Sequence, residues 1–217
     1  MSAADAAAPE APRDCPRCPR LAAYRAEVAA REPAWFNGAV PSFGDPRARL
    51  VVVGLAPGVS GANRTGRPFT GDHAGGLLYA TLAAHGFSEG VFDARPDDGL
   101  RLSDALVTNA VRCVPPQNKP VGAEIAACRG FLAARLAALP RLRAVVTLGR
   151  IAHDSTVRAL GARPAAAPFA HGAEADLAGL RLFSSYHCSR YNTNTGRLTE
   201  PMFTAVFARA RAFLDAA

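Results

Sequence analysis

The sequence predicts an α/β protein: a single-domain three-layer α/β/α fold with a central four-stranded parallel sheet. Two observations carry that expectation. Short apolar, β-branched runs recur four times along the chain, alternating with segments of helical composition. The first, Leu50-Val-Val-Val53, is apolar at every position, as a strand covered on both faces is.

The elements follow in order. Residues 1–13 are biased to Ala and Pro and predict a disordered arm, leaving residues 14–217 for the domain. Leu21 to Arg31 predicts a helix that stops before Pro33. Arg49 to Gly54 is the first strand, and a glycine-rich loop leads from it to a helix from about Gly75 to His85, with Gly86 as its stop. Ala105 to Val111 is the second strand, followed by the breaker-rich Pro115–Pro120 and a helix over Val121–Leu139. Arg143 to Gly149 is the third strand, with a helix over Ile151–Leu160. Leu180 to Ser185 is the fourth, and a last helix runs from Glu200 to Leu214 with Thr199 as N-cap. There is no internal repeat and no sign of a second domain.

Composition narrows the function classes. No apolar run reaches the length of a bilayer span, so no membrane role is expected. The N-terminus lacks the basic start and apolar core of an export signal, which predicts a cytoplasmic protein. The net charge of +7 suits a polyanionic partner, and all but one of the cations are arginine, Lys119 being the exception. Arginine contacts phosphate bidentately. A GC-rich genome would raise arginine everywhere, so charge alone is a weak pointer to DNA.

Five cysteines are more informative. Cys15 and Cys18 form C-x2-C, and Cys113 and Cys128 form C-x14-C. In a reducing cytosol stable disulfides are rare, and two such pairs can close one metal site. Spacing alone leaves zinc and an iron–sulfur cluster open.

In open α/β sheets, ligands bind at the carboxyl ends of the strands. Gly54-Leu-Ala-Pro-Gly58 follows the first strand, Asn109 and Cys113 lie at the second, and Tyr186-His-Cys-Ser189 follows the fourth. A site is expected at that edge. Gly61 and Gly66 have P-loop spacing, but Arg67-Pro68 stands where Lys and Ser/Thr are needed, which disfavours a nucleoside triphosphate.

The Gly54-Leu-Ala-Pro-Gly58 loop with Gly66-Arg-Pro-Phe-Thr-Gly-Asp72 resembles the first motif of the uracil-DNA glycosylase superfamily, in the form of its family 5. Ser184 to Thr199 resembles the second motif. Thr108-Asn-Ala-Val-Arg-Cys113 with Pro115-Pro116 resembles the segment bearing an asparagine and a cluster cysteine. The resemblance runs from Cys15 to the last helix and implies a [4Fe–4S] cluster on Cys15, Cys18, Cys113 and Cys128. It also implies a monofunctional, monomeric, nucleoid-associated repair enzyme acting on DNA that contains uracil or related damaged bases. Lys119, in its proline-flanked loop, offers no evident Schiff-base nucleophile.

Residue by residue, the resemblance implies that Asp72 positions the attacking water and offsets positive charge on the sugar, a role compatible with capping the helix that follows it. His187 would stabilise the departing base anion. Phe69 would stack on the flipped base and Asn109 read its edge. Gly58 stands where stringent enzymes place a bulky side chain, so a broad substrate range is expected. Arg190 and Tyr191 would enter the gap left by the flipped nucleotide, and Ser189 and Arg197 would contact phosphate. Two departures stand out. Related families place Asp or Asn where this chain has Ala56, and often Pro where it has Cys188, read here as a loop residue and not a fifth ligand. The rival readings are a catalytically idle cluster-bearing nucleic-acid-binding module and a zinc hydrolase.

Overall fold

A computed structural model of the chain describes residues 9–216. Helix α1 (Pro19–Arg31) opens with proline in its first turn, where the missing N–H costs nothing. Strands β1 (Phe43–Gly44) and β2 (Leu50–Gly54) precede the short α2 (Ala62–Thr65) and then α3 (His73–Ala84). A hairpin of β3 (Ser88–Glu89) and β4 (Arg101–Leu102) leads into β5 (Ala105–Asn109) and α4 (Gly122–Ala137). The remaining elements are β6 (Ala144–Leu148), α5 (Arg150–Ala159), β7 (Glu174–Leu177), β8 (Leu180–Ser185), α6 (Arg190–Asn194) and α7 (Glu200–Asp215).

The main sheet has six strands in the order β1-β5-β2-β6-β8-β7. The four expected strands form its parallel centre, β5-β2-β6-β8. The expectation of four strands is corrected by two antiparallel edges, β1 on β5 and β7 on β8. Neither edge announces itself: β1 is two residues long, and β7 is a charged Glu-Ala-Asp-Leu segment. Its two-residue turn to β8 puts Ala178 at φ +51° and Gly179 at φ +79°, a conformation in which Asn or Asp usually precedes the glycine.

Successive residues of the central strands point to opposite layers. Leu50, Val52, Val107, Val146 and Phe183 pack with α3 and α7, through side chains such as Leu78, Phe203 and Phe207. Val51, Val53, Leu106, Val145 and Leu182 pack with α4 and α5, through Leu132, Leu136 and Val157. Burial on both faces explains why β2 is apolar throughout. A third apolar group gathers Cys15, Cys113, Cys128, Leu21 and Phe131 beside the sheet.

Of the arm expected over residues 1–13, residues 1–8 lie outside the described part. Residues 9–13 are held against the domain. Glu10 pairs with Arg112 at 3.1 Å and Arg135 at 2.6 Å and accepts from the Ser42 N–H at 3.1 Å.

One buried ion pair stiffens the loop between α2 and α3. Arg67 and Asp98 meet at 2.6 Å with side chains 5 % and 1 % exposed. Arg67 also donates to Thr70 Oγ1 at 2.7 Å and lies over the rings of Phe43, Tyr79 and Phe92. The Arg67 guanidinium, with the Asp93 and Leu100 N–H groups, holds the Asp98 carboxyl well below the usual carboxylate range. Because the folded value is depressed, the stabilisation is present above the ordinary Asp pKa and is lost only as pH falls below it. Asp98→Asn leaves a buried guanidinium unpaired and should lower unfolding free energy at pH 7 by about 3–5 kcal/mol. Urea denaturation measures this; an unchanged midpoint would show that the pair adds no stability.

Candidate active site

Gly54 ends β2 directly beside Asn109, which ends β5. A Cβ on Gly54 would collide with Asn109 Oδ1 and come within 2.5 Å of the Phe69 ring. The glycine therefore gives these two side chains the space over the strand end. Asn109 is 3 % exposed, and its side-chain amide has no hydrogen-bond partner among the described residues, though one face borders a cavity.

Phe69 adopts φ +53°, a left-handed conformation that costs a non-glycine residue of order 1–3 kcal/mol. Its turn is held from several sides. Thr65 Oγ1 donates to Thr70 O at 3.0 Å, Tyr79 Oη donates to Pro68 O at 2.6 Å, and Arg67 holds Thr70. Gly75 leaves room for the Phe69 carbonyl, which a Cβ there would strike.

Asp72 is the N-cap of α3, its Oδ1 accepting from the Gly75 N–H at 3.3 Å. Its Oδ2 faces Gly58 and Gly61. A Cβ at Gly61 would sit 2.6 Å from that oxygen, whereas at Gly58 it would sit 3.6 Å away in ordinary contact. Burial is the main effect on its carboxyl and lifts it above the usual value, against the Gly75 and Ala74 N–H groups that pull it down.

His187 follows β8. Its carbonyl accepts from Asn192 Nδ2 at 2.8 Å, and Gly149 (φ +93°) lies against its Cβ. The ring lies 6.0 Å from the Phe69 ring, with planes only 25° apart. Neither ring nitrogen has a hydrogen-bond partner among the described residues. Burial pushes the imidazole down to about 4, so it is neutral at pH 7.

These residues surround one cavity of about 390 Å³. Gly58, Phe69, Asp72, Asn109, His187, Ser189 and Arg190, all singled out in the sequence, line it together. Ser189 caps α6 by accepting from the Asn192 N–H at 3.4 Å. Tyr191 is not in the lining and stands 72 % exposed. Arg197 lines a neighbouring groove that shares His187 as a wall, its guanidinium 4.7 Å over Tyr186. Two polar lining residues, Asn118 and His73, have no role assigned from the sequence. Asn118 follows Gln117 in the breaker-rich loop, both at positive φ (+57° and +55°), a conformation that asparagine tolerates and that could have flagged the position. His73 also lines the cavity, with Nε2 3.1 Å from Thr193 Oγ1. Cys188 is fully buried in the apolar core. Its thiol faces Ala74 O at 3.6 Å and is pushed up to about 12 by burial.

Cys15, Cys18, Cys113 and Cys128 border a second, enclosed cavity and are all free thiols. Cys113 Sγ accepts from Arg25 Nη1 at 3.2 Å, and Cys128 Sγ from the Arg112 backbone N–H at 3.3 Å. Burial raises the Cys113 thiol to about 12 and also raises Cys128 and Cys18. Among the described residues, no three His, Cys, Asp or Glu side chains are grouped as the ligands of one metal ion. Ala56 lines the first cavity and packs on the apolar group that holds the cysteines, so the two regions share a wall.

A family model described as the uracil DNA glycosylase superfamily matches residues 41–211. The chain is 48 % identical over 204 residues to the Type-5 uracil-DNA glycosylase of Thermus thermophilus, covering 91 % of this chain and 92 % of that protein. It is 43 % identical over 203 residues to the Type-5 uracil-DNA glycosylase of Pyrobaculum aerophilum, covering 92 % and 88 %. To the Type-5 uracil-DNA glycosylase of Mycobacterium tuberculosis it is 42 % identical over 207 residues, covering 91 % and 77 %.

The state of His187 is directly measurable. Nitrogen-15 NMR should find its ring neutral at pH 7 and titrating near 4. From about 6.5, the free imidazole value, down to about 4 the unfolded chain binds a proton that the folded chain does not. The His187 contribution to stability therefore falls as pH falls across that window. Titration near 6.5 would overturn the neutral-ring assignment.

Proposed function

The chain belongs to the uracil DNA glycosylase superfamily, and on that premise we propose that it hydrolyses the N-glycosidic bond of uracil in DNA, initiating base excision repair. The observation that carries the reading is the convergence of the Asp72 carboxylate and the neutral His187 imidazole on one cavity at the carboxyl edge of the sheet. A flipped base enters between the Phe69 face and the Asn109 amide, whose unpaired donor and acceptor suit a pyrimidine edge. Bond breaking leaves negative charge on the base and positive charge on the sugar. A neutral imidazole N–H donates a hydrogen bond to the base as negative charge builds on it. Asp72, held by its cap bond through Oδ1, turns Oδ2 to a water and to the cationic sugar. Its raised carboxyl makes it a better proton acceptor. Ala56 offers no polar group for that work.

Ser189 and Arg190 at the cavity rim, with Arg197 beyond it, contact backbone phosphates, and the exposed Tyr191 fills the gap left by the flipped nucleotide. Residues 14–217 act as one domain, in a monomeric, cytoplasmic, nucleoid-associated enzyme. No helix among the described residues is long and apolar enough to cross a membrane. An idle binding module is not favoured, because the relatives carry the name of an enzyme and a pure binder needs neither Asp72 nor His187 on the cavity.

The donor set at the thiol cavity supports a [4Fe–4S] cluster held by Cys15, Cys18, Cys113 and Cys128: none of the four is in a disulfide, and two of their sulfurs accept N–H donors. When bound, it cross-links the Cys15–Cys18 segment to the loop of Cys113 and to α4, so binding energy becomes folding energy.

Excision from a uracil-containing duplex, read by alkaline cleavage of the abasic product, tests the activity. His187→Ala should lose on the order of 10²-fold in turnover with DNA binding retained. Asp72→Asn should lose activity on every substrate, least for the best leaving bases. A His187→Ala variant with normal turnover and poor binding would make the histidine a binding residue. Normal uracil excision by Asp72→Asn would move the water-positioning role, with His73 the first residue to test.

The room beside Gly58 points to a broad range that includes 5-substituted uracils. The backbone there accepts a Cβ, so Gly58→Tyr should fold, keep uracil excision and lose the 5-substituted substrates. Equal activity on both classes in the variant would refute the gating role.

A further inference from the structure

The buried stripe of α1 is Leu21, Arg25 and Val28, spaced i, i+4, i+7. A guanidinium thus stands where an amphipathic helix places an apolar side chain. Arg25 is 6 % exposed, and among the described residues it has no carboxylate partner. Its hydrogen bonds go to two carbonyls, Arg13 O at 3.0 Å and Cys15 O at 2.9 Å, and to Cys113 Sγ at 3.2 Å. Neutral carbonyls do not compensate a buried cation for lost hydration, so the position calls for an anion in contact with the guanidinium.

We propose that Arg25 is a counter-charge of the iron–sulfur cluster, beside Arg17 and Arg112 of the cavity lining, and a positioning residue that ties the Cys15 and Cys113 ligand segments together and raises the cluster's reduction potential. The inference rests on the cluster reading above. Four thiolates around iron and sulfide carry net negative charge, and the forked guanidinium spans both ligand segments at once. The Arg112 N–H adds a second donor at Cys128, whereas Cys15 and Cys18 sulfurs have none among the described residues. Donors from this chain would therefore act on the Cys113 and Cys128 sulfurs only. An N–H donor and a positive charge at a ligand sulfur favour the more reduced, more negative state. Removing them shifts the potential downward.

The test compares the holoprotein with its Arg25→Lys and Arg25→Met variants. Iron and acid-labile sulfide in wild type come first: protein without them overturns the cluster reading itself, before any variant is measured. With the cluster present, film voltammetry should place Arg25→Met at a more negative midpoint than wild type. A chelator should bleach its visible absorbance about tenfold faster, as loss of one charge-assisted hydrogen bond implies. Arg25→Lys keeps the charge without the fork and should fall between. A colourless Arg25→Met beside a coloured, intermediate Arg25→Lys also supports the pairing. Midpoints and bleaching rates equal to wild type, in Arg25→Met or, where that variant holds no cluster, in Arg25→Lys, overturn it.

Discussion

The parallel pairing of β2 with β5 is the constraint on which the site depends. Register joins Leu50 to Ala105 and ends at Gly54 beside Asn109. A parallel pair needs a crossover, so the chain must leave the carboxyl end of β2, cover the sheet with α3 and return. That excursion carries Gly58, Phe69 and Asp72 over the strand ends. β8 runs in the same direction on the far side of β6, so His187 emerges at the same edge. Had Gly54 carried a side chain, neither Asn109 nor Phe69 could hold its place.

Buried arginines recur where loops must be rigid. Arg67 ties the Phe69 turn to Asp98, Arg112 ties Glu10 to the domain, and Arg25 bridges two cysteine segments. Arg67 and Arg25 use the planar fork to satisfy several acceptors at once, which a single ammonium does less well, whereas Arg112 reaches Glu10 and Ser42 through Nη1 alone. This puts part of the arginine content to structural use, so net charge overstates the cation density open to a nucleic acid. The shared wall at Ala56 gives the thiol region a direct bearing on the shape of the cavity.

Much of the fold was legible because its signals are local. The four central strands and the five long helices follow from apolar runs, breakers and caps, and Thr199 caps α7 as expected. The edge strands escaped notice because an edge buries one face and pairs on one side, so β1 and β7 carry little apolar pattern. The close of the expected second strand at Asn109 rather than Val111 was equally hidden. Ala110 and Val111 are apolar, but they bond to Gly54 O and Leu55 O and turn into the cores flanking the sheet.

The sequence by itself determined the alternation of strands and helices, the edge at which a site forms, and the side chains offered there. Those are properties of spacing and residue type. Only the tertiary structure decided which of them meet. It put seven of the nominated residues on one cavity, brought in Asn118 and His73, and left Tyr191 in solvent and Arg197 on the neighbouring groove. It also decided the charge state of His187 and the direction in which Arg25 points. Both depend on desolvation and on partners from distant segments, which exist only once the chain has packed.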